Sequence, residues 1–172
     1  MTKAKLEILN LEVPIGLLKE YHDDGFVESI RKHSEMLLKK YKCRGKLDEK
    51  FDGDLVGICN GFKFFLKKYF HIYYLDTNFA PLNIQIRAHE ETHALDCLGH
   101  LEILSEKMLE EQKIKIDFKK LKDKEIRAQI GSIYALFSHG LHPSMMDNFF
   151  YNSDFEIAKR IYKQSRFSNT IY

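Results

Sequence analysis

The chain has 172 residues, of which 44% are hydrophobic and 30% are charged, and its formal net charge is +2. These totals are ordinary for a globular protein, and the length suffices for one domain with a substantial core. Acidic and basic residues are interspersed, so the sequence lacks the basic clusters that are typical of nucleic-acid binding. No apolar run approaches the ~20 residues of a membrane span, and no signal-peptide core follows the N-terminus. The composition therefore predicts a cytoplasmic protein that binds neither nucleic acid nor a membrane.

Short apolar segments characterise the first half of the chain. Residues 1–13 are apolar enough to form a strand or a docking arm. Apolar residues at helical spacing predict helices over about 26–42 and 54–69. β-Branched and aromatic residues then predict a strand over 71–76. If this strand lies at the edge of a sheet, it could hold an extended peptide through backbone hydrogen bonds.

Longer helices are predicted in the second half. One should begin between Pro81 and Ile86 and end near Gln112, a second should span about 117–140, and a third about 154–164. The fold class that follows is α+β and mostly helical, with a short edge strand or small sheet before the first of these helices. The chain is predicted to form one domain over residues 1–172. Its parts are a helical N-terminal part (1–70), a central part (71–140) and a C-terminal loop and helix (141–172).

The central part contains the sequence His89-Glu90-Glu91-Thr92-His93, an H-E-x-x-H pattern on a predicted helix. Residues at i and i+4 lie on one helix face with their Cβ atoms about 6 Å apart. The two imidazoles can therefore bind the same metal ion, and Glu90 can take a proton from a water beside it. The competing interpretation is a pair of surface histidines.

A catalytic zinc ion usually has three protein ligands and a water, so a third ligand is needed. His100 lies seven residues past His93, or about 10 Å along a helix, and could take part only if the chain turned at Gly99. Glu102 and Glu106 have the same difficulty. The metzincin pattern fails, because Asp96 and Gly99 stand where it has glycine and histidine. Asp96 is better suited to support a ligand than to be one.

Glu125 is the preferred third ligand, because the helix that carries it can fold back antiparallel to the motif helix. The face that continues from Glu125 bears small or polar groups, which lets two helices approach closely. These residues are Ala128, Gln129 and Ser132. The competing interpretation is a solvated glutamate beside Lys122 and Lys124. The sequence therefore predicts a zinc site formed by His89, His93 and Glu125.

This ligand set resembles the gluzincin branch of the zincin metallopeptidases, and Thr92-His93-Ala94 is similar to the thermolysin-like version of the motif. The short chain and the strand-then-helix order resemble the ImmA/IrrE group, intracellular peptidases that cleave repressors. The resemblance covers about residues 71–140 and implies a zincin-like fold with peptidase activity. Thr92 departs from the glycine usual in the ImmA/IrrE group. Gln129 stands where gluzincins commonly have a carboxylate that orients a histidine.

The predicted activity is zinc-dependent hydrolysis of a peptide bond in a protein or peptide substrate. Zinc polarises the scissile carbonyl and lowers the pKa of its water toward ~7. Glu90 would act as general base and later pass the proton to the leaving amine. A donor must also stabilise the oxyanion. The candidates all follow Glu125 in the chain, and their spacing does not choose among them: Tyr134, His139 and His142.

Three alternatives compete with a peptidase. The chain could be a catalytically inactive zincin-like module that binds metal or regulates a partner. It could be a non-peptidase metalloenzyme, including a hydroxylase that uses the same histidines with iron. It could also be a helical interaction protein whose histidines lie at the surface. The sequence leaves the substrate and the oligomeric state undefined.

The three cysteines, Cys43, Cys59 and Cys97, are odd in number and form no C-x-x-C pair. A disulfide framework is therefore not expected. Cys97 follows His93 by four residues and could approach the metal face. Since free cysteine is among the most buried residue types, Cys97 is predicted to be a small core residue.

Overall fold

The computed structural model describes residues 4–13, 17–22, 57–64, 67–74, 79–147 and 152–167. Helices predominate in this part of the chain, which confirms the α+β, mostly helical class. The helices are α1 (Ala80–Leu98), α2 (Leu101–Gln112), α3 (Lys124–Ser138) and α4 (Ser153–Phe167). The strands are β1 (Ala4–Leu6), β2 (Leu11–Val13), β3 (Leu17–His22), β4 (Gly57–Phe64) and β5 (Lys67–Tyr74).

The strands form two small sheets. β1 and β2 pair as an antiparallel hairpin, with Leu6 opposite Leu11. The second sheet has the order β3-β5-β4, in which β5 is parallel to β3 and antiparallel to β4. The strand predicted after residue 70 is confirmed as far as Tyr74, but it lies in the middle of this sheet. Of the two predicted alternatives, the small sheet before α1 is confirmed; β5 itself is not an edge strand, and β4 occupies one edge instead.

The predicted helix over 54–69 is also wrong, because β4 and the start of β5 occupy its described part. Ile58, Phe62 and Phe64 are β-branched or aromatic, and Gly57 and Gly61 disfavour a helix interior. Pairing with β5 along all of β4 decides between the two periods. The described portion of the first 70 residues is thus built of strands rather than helices. The predicted helix over 26–42 lies outside the described residues.

The long helix predicted to reach Gln112 is interrupted at Gly99. The φ of Gly99 is 74°, a left-handed conformation that favours glycine, and its N–H donates to the Asp96 carbonyl at 3.0 Å. α2 then begins at Leu101. The next helix starts later than predicted, at Lys124, because the Asp123 side chain accepts the Glu125 N–H at 2.8 Å and caps it.

The C-terminal helix predictions fit the structure closely. α3 ends near the predicted position, and Gly140 follows it with a φ of 72°, the left-handed conformation that commonly ends a helix. α4 extends the predicted helix by a few residues at its ends. None of the described helices has the length and apolarity that crossing a membrane would require.

One apolar core joins the hairpin, α1, α2, α3 and α4. The hairpin contributes side chains from both its strands and its turn, so its packing fixes it to the helices. Residues in this core that are almost fully buried include Leu6, Leu9, Leu95, Leu104, Met108, Ile130, Ile133 and Leu136. The helices that carry the predicted metal ligands are thereby held from several sides.

Candidate metal centre

The contact between α1 and α3 brings the predicted ligands together. The helices run antiparallel: near the start of α1, the Gln85 carbonyl accepts from the Ser132 hydroxyl at 3.0 Å. Near the end of α1, Asp96 accepts from Arg127, which lies in the first turn of α3. Residue pairs between these two points therefore fall into register, and His89 and His93 face the start of α3.

Gly131 allows this contact to be close. A Cβ at Gly131 would overlap the Thr92 hydroxyl, so α3 approaches α1 closely at this position. Thr92 is fully buried, and its hydroxyl donates to the Ala88 carbonyl one turn earlier at 2.7 Å. Thr92, which directly follows the two glutamates of the motif, thus serves helix packing, and a larger residue at position 131 would push α1 and α3 apart.

Three ligand atoms converge on one point. His89 Nε2 and His93 Nε2 are 3.0 Å apart, and Glu125 Oε2 lies 3.3 Å from the first and 3.4 Å from the second. Ligands about 2.0–2.1 Å from a tetrahedral zinc ion are about 3.3–3.4 Å apart. The triangle therefore has nearly the size that zinc requires, and the donor set of two imidazoles and one carboxylate suits zinc.

The electrostatics of this triangle also fit a cation. Burial opposes a charge on His89, but the Glu125 hydrogen bond and the charges of Glu90 and Glu125 raise the pKa of His89. Burial and the charge of His89 lower the pKa of His93. The hydrogen bond from His89 lowers the pKa of Glu125 to about 2. Two facing Nε2 atoms need a proton or a cation between them, and the ionised carboxylate favours either.

Glu90 lies beside the triangle. It is only 7% exposed, and the Cys59 N–H of β4 donates to its carboxylate. Burial raises the pKa of Glu90 to about 7, the His89 charge opposes this shift, and the Glu125 charge adds to it. The Glu90 carboxylate is thus close enough for the charges of His89 and Glu125 to change its pKa. α1 and β4 together fix its position.

The site is accessible on one side. The side chains of His89 and His93 are 13% and 18% exposed, whereas that of Glu125 is 42% exposed. Among the described residues, these three are the only group of His, Cys, Asp or Glu side chains that converges in this way. Three protein ligands with an exposed edge are typical of a catalytic zinc site, because a structural site is closed by four.

Gln129 lies close to the His89 ring. His89 Nδ1 is buried, and within the described part of the chain it has no hydrogen bond of ordinary geometry. Gln129 is close enough to raise the pKa of His89, and its Oε1 accepts from Gln85 Nε2 at 3.0 Å. Because an amide oxygen can accept two hydrogen bonds, this contact leaves Gln129 Oε1 able to accept a second one.

Glu91 has a structural role that the sequence did not predict. Its carboxylate is fully buried and accepts the N–H groups of Ile8 and Leu9, at 3.0 and 2.8 Å, in the turn of the hairpin. On the same side of α1, Arg87 pairs with Glu7 at 3.0 Å and stacks over the Tyr74 ring. The only sequence signal was a second acidic residue inside the motif, which ordinarily suggests solvent exposure.

The other third-ligand candidates are engaged elsewhere. The chain does turn at Gly99, but His100 Nδ1 contacts Glu102 at 3.4 Å rather than the triangle. Asp96 is paired with Arg127 at 2.5 Å. Glu106 is exposed on α2. Of the candidates named from the sequence, Glu125 is the one that the structure brings to the histidines.

The three candidate oxyanion donors do not join the site. The Tyr134 hydroxyl is directed to Glu111 at 2.6 Å, and burial raises the pKa of Tyr134. His139 Nδ1 contacts the Ala135 carbonyl, and His142 Nδ1 contacts the Ser144 hydroxyl. Tyr134 lies nine residues after Glu125, about 13 Å farther along the helix. The donor for an oxyanion is not identified among them.

Cys97 is exposed, so the prediction of a buried core residue at this position is wrong. It lies two residues before the break at Gly99, where α1 emerges from the core. Cys97 also lies outside the triangle of ligand atoms. Among the described residues, the group that could hold a metal ion therefore includes no cysteine.

Comparison with known proteins gave no relative on which to base a function. No family model matches the chain, and no curated protein or solved structure matches it either. The function of the chain must therefore be inferred from the geometry of the site.

Proposed function

We propose that the chain is a zinc-dependent metallopeptidase of the zincin type. The observation that carries this proposal is the convergence of His89, His93 and Glu125 beside the carboxylate of Glu90. Zinc held by these three residues would supply Lewis-acid polarisation of a carbonyl and a water of lowered pKa. Glu90 would then accept a proton from the attacking water and return it to the leaving amine.

The position of β4 supports a peptide as substrate. β4 pairs with β5 on one side, and its Cys59 N–H reaches the Glu90 carboxylate. In the described part of the chain no strand pairs with the other edge of β4. An extended peptide could pair with this edge through backbone hydrogen bonds. Since Cys59 lies on β4 beside Glu90, a peptide bound in this way would pass next to the general base.

Glu90 also favours hydrolysis over oxidation. Two histidines and a carboxylate are also the ligand set of non-haem iron oxygenases, so the triangle alone fits two metals. A buried carboxylate positioned next to the ligands supplies proton transfer, which a hydrolase needs. Metal analysis of purified protein separates these alternatives, since zinc is expected at about one equivalent and iron would redirect the assignment.

The proposal is tested by metal content and cleavage together. Wild-type protein, His89→Ala and Glu125→Ala are compared for bound zinc after dialysis; His89→Ala should lose it, and Glu125→Ala should retain less than wild type because two imidazoles still bind zinc weakly. A library of peptides is then incubated with wild type and Glu90→Gln and analysed by mass spectrometry. We expect cleavage by wild type that stops on chelation and returns with zinc, and none by Glu90→Gln. Zinc binding without cleavage by wild type would contradict a peptidase, and cleavage by Glu90→Gln would contradict its assigned base.

A further inference from the structure

The contact between α1 and α3 has two sides. On one side, Gln85, His89 and His93 follow one another at intervals of four and face Glu125, Gln129 and Ser132. On the other side, Thr92 and Asp96 are also four apart, and they face Gly131 and Arg127. The metal ligands therefore occupy one side of the contact, and an ion pair occupies the other.

Arg127 is bound at four points. Its Nε and Nη2 both donate to Asp96 Oδ2, at 2.8 and 2.5 Å. Its Nη1 donates to the carbonyls of Leu121 and Lys122, at 2.6 and 3.0 Å. The side chains of Arg127 and Asp96 are 17% and 23% exposed, so water competes little for this pair. One guanidinium thus ties α1, the start of α3 and the segment before α3 together.

Glu125 depends on that region. It lies in the first turn of α3, two residues before Arg127, and its side chain is far more exposed than either histidine. First turns fray when their caps are lost, and a ligand must stay within about 0.5 Å of its productive position. We propose that Arg127, through Asp96, is a positioning residue that holds Glu125 against the two histidines. This inference depends on the metal site of the proposed function.

The test is a double-mutant cycle on zinc affinity. Zinc dissociation constants are measured by competition with a chromophoric chelator for wild type, Arg127→Met, Glu125→Ala and the double variant. Arg127→Met should weaken binding at least about tenfold, the lower limit for losing a supporting contact of a metal ligand. In the Glu125→Ala background the same change should have little effect, because Arg127 acts through Glu125.

Two further variants separate positioning from general destabilisation. Lys159→Met removes a comparable ion pair to Asp147, at 2.6 Å, far along the chain, and should leave zinc affinity unchanged. Arg127→Lys keeps the positive charge but loses the planar, multi-donor geometry of the guanidinium. Its zinc affinity should therefore lie between those of wild type and Arg127→Met. If Arg127→Met does not fold, the cycle is made with Arg127→Lys, whose loss should likewise vanish without Glu125.

The outcomes are distinct. An equal loss of affinity with and without Glu125, or no loss in a folded Arg127 variant, would overturn the positioning role. Zinc binding without peptide cleavage would contradict the peptidase proposal and leave the cycle to decide this inference. If the wild-type protein binds no zinc, both proposals are overturned.

Discussion

Glu90 and Glu91 are adjacent, both are buried, and their surroundings could hardly differ more. Glu91 faces the hairpin, where its carboxylate accepts two backbone N–H groups and is fully buried. Glu90 lies beside the His89–His93–Glu125 group, where one backbone N–H reaches it and burial raises its pKa to about 7. On the Glu91 side of α1, the fold satisfies the hydrogen-bonding capacity of the buried carboxylate. On the Glu90 side, polar side chains are placed where they could bind a ligand.

The same contrast applies to the neighbouring residues on each side. On the metal side, two Nε2 atoms face each other at 3.0 Å, and His89 Nδ1 is buried without a hydrogen bond in the described part of the chain. On the hairpin side, Leu6 and Leu9 are buried in the core next to the anchored turn. The two sides of α1 thus differ in how completely the fold satisfies their buried polar groups.

The largest expected effect on stability comes from the Glu91 side of α1. Glu91→Ala leaves the Ile8 and Leu9 N–H groups without their acceptor and should lower the free energy of unfolding by about 3 kcal/mol. Glu91→Gln keeps one acceptor oxygen and should cost about 1 kcal/mol. Urea denaturation measures both, with Glu7→Gln, an exposed partner of Arg87, as a control that changes little. Equal stability of Glu91→Ala and wild type would show that the hairpin contact is not structural.

Gly131→Ala tests the closeness of the two ligand helices. The added methyl would overlap the Thr92 hydroxyl, so we expect a loss of about 1–3 kcal/mol in unfolding free energy, typical of overpacking. Zinc affinity should fall as well, because α3 carries Glu125. The double variant Gly131→Ala with Thr92→Ala should recover part of both losses, since it removes the clashing hydroxyl and methyl groups and leaves only the Cβ of residue 92, at 2.9 Å, in close contact. No recovery would mean that another contact sets the spacing.

Zinc should stabilise the metal side directly. At free zinc about 100 times its dissociation constant, the folded state should gain about 2.7 kcal/mol. Thermal unfolding of wild type should shift upward accordingly, and His93→Ala should show little shift. Magnesium is the control, because imidazole ligands do not suit it. An equal shift for both proteins would place the binding site elsewhere.

The smallest effect is expected from His93→Ala without metal. The site is partly exposed and its groups are poorly satisfied, so unfolding free energy should change by less than about 1 kcal/mol. Denaturation in the presence of a chelator measures this. A much larger loss would mean that His93 supports the fold itself, and the contrast between the two sides of α1 would weaken.

The sequence predicted the composition of the site better than its surroundings. His89 and His93 follow from helical geometry alone, and Glu125 followed from the small and polar face that continues along its helix. Glu91 could not be foreseen, because its partners are backbone groups about 80 residues earlier in the chain. Arg127 was not foreseen either, since its pairing with Asp96 depends on the register between two helices.

The errors in the fold have a common physical origin. The segment from Gly57 to Phe64 has apolar residues that fit both a helix and a strand, and pairing with β5 decides the outcome. Gly99 interrupts a pattern that is apolar on both sides of it, and its positive φ and capping hydrogen bonds end α1. Local patterns determine propensity, whereas long-range pairing chooses among the options that propensity allows.

The central claim is that His89, His93 and Glu125 hold one zinc ion, and X-ray absorption at the zinc edge tests it most directly. For the zinc-loaded wild-type protein, we predict a coordination shell of two imidazole nitrogens and otherwise oxygen. Glu125→Ala should keep both imidazoles and change the oxygen shell. Sulfur in the shell, fewer than two imidazoles, or a Glu125→Ala spectrum identical to wild type would contradict the claim.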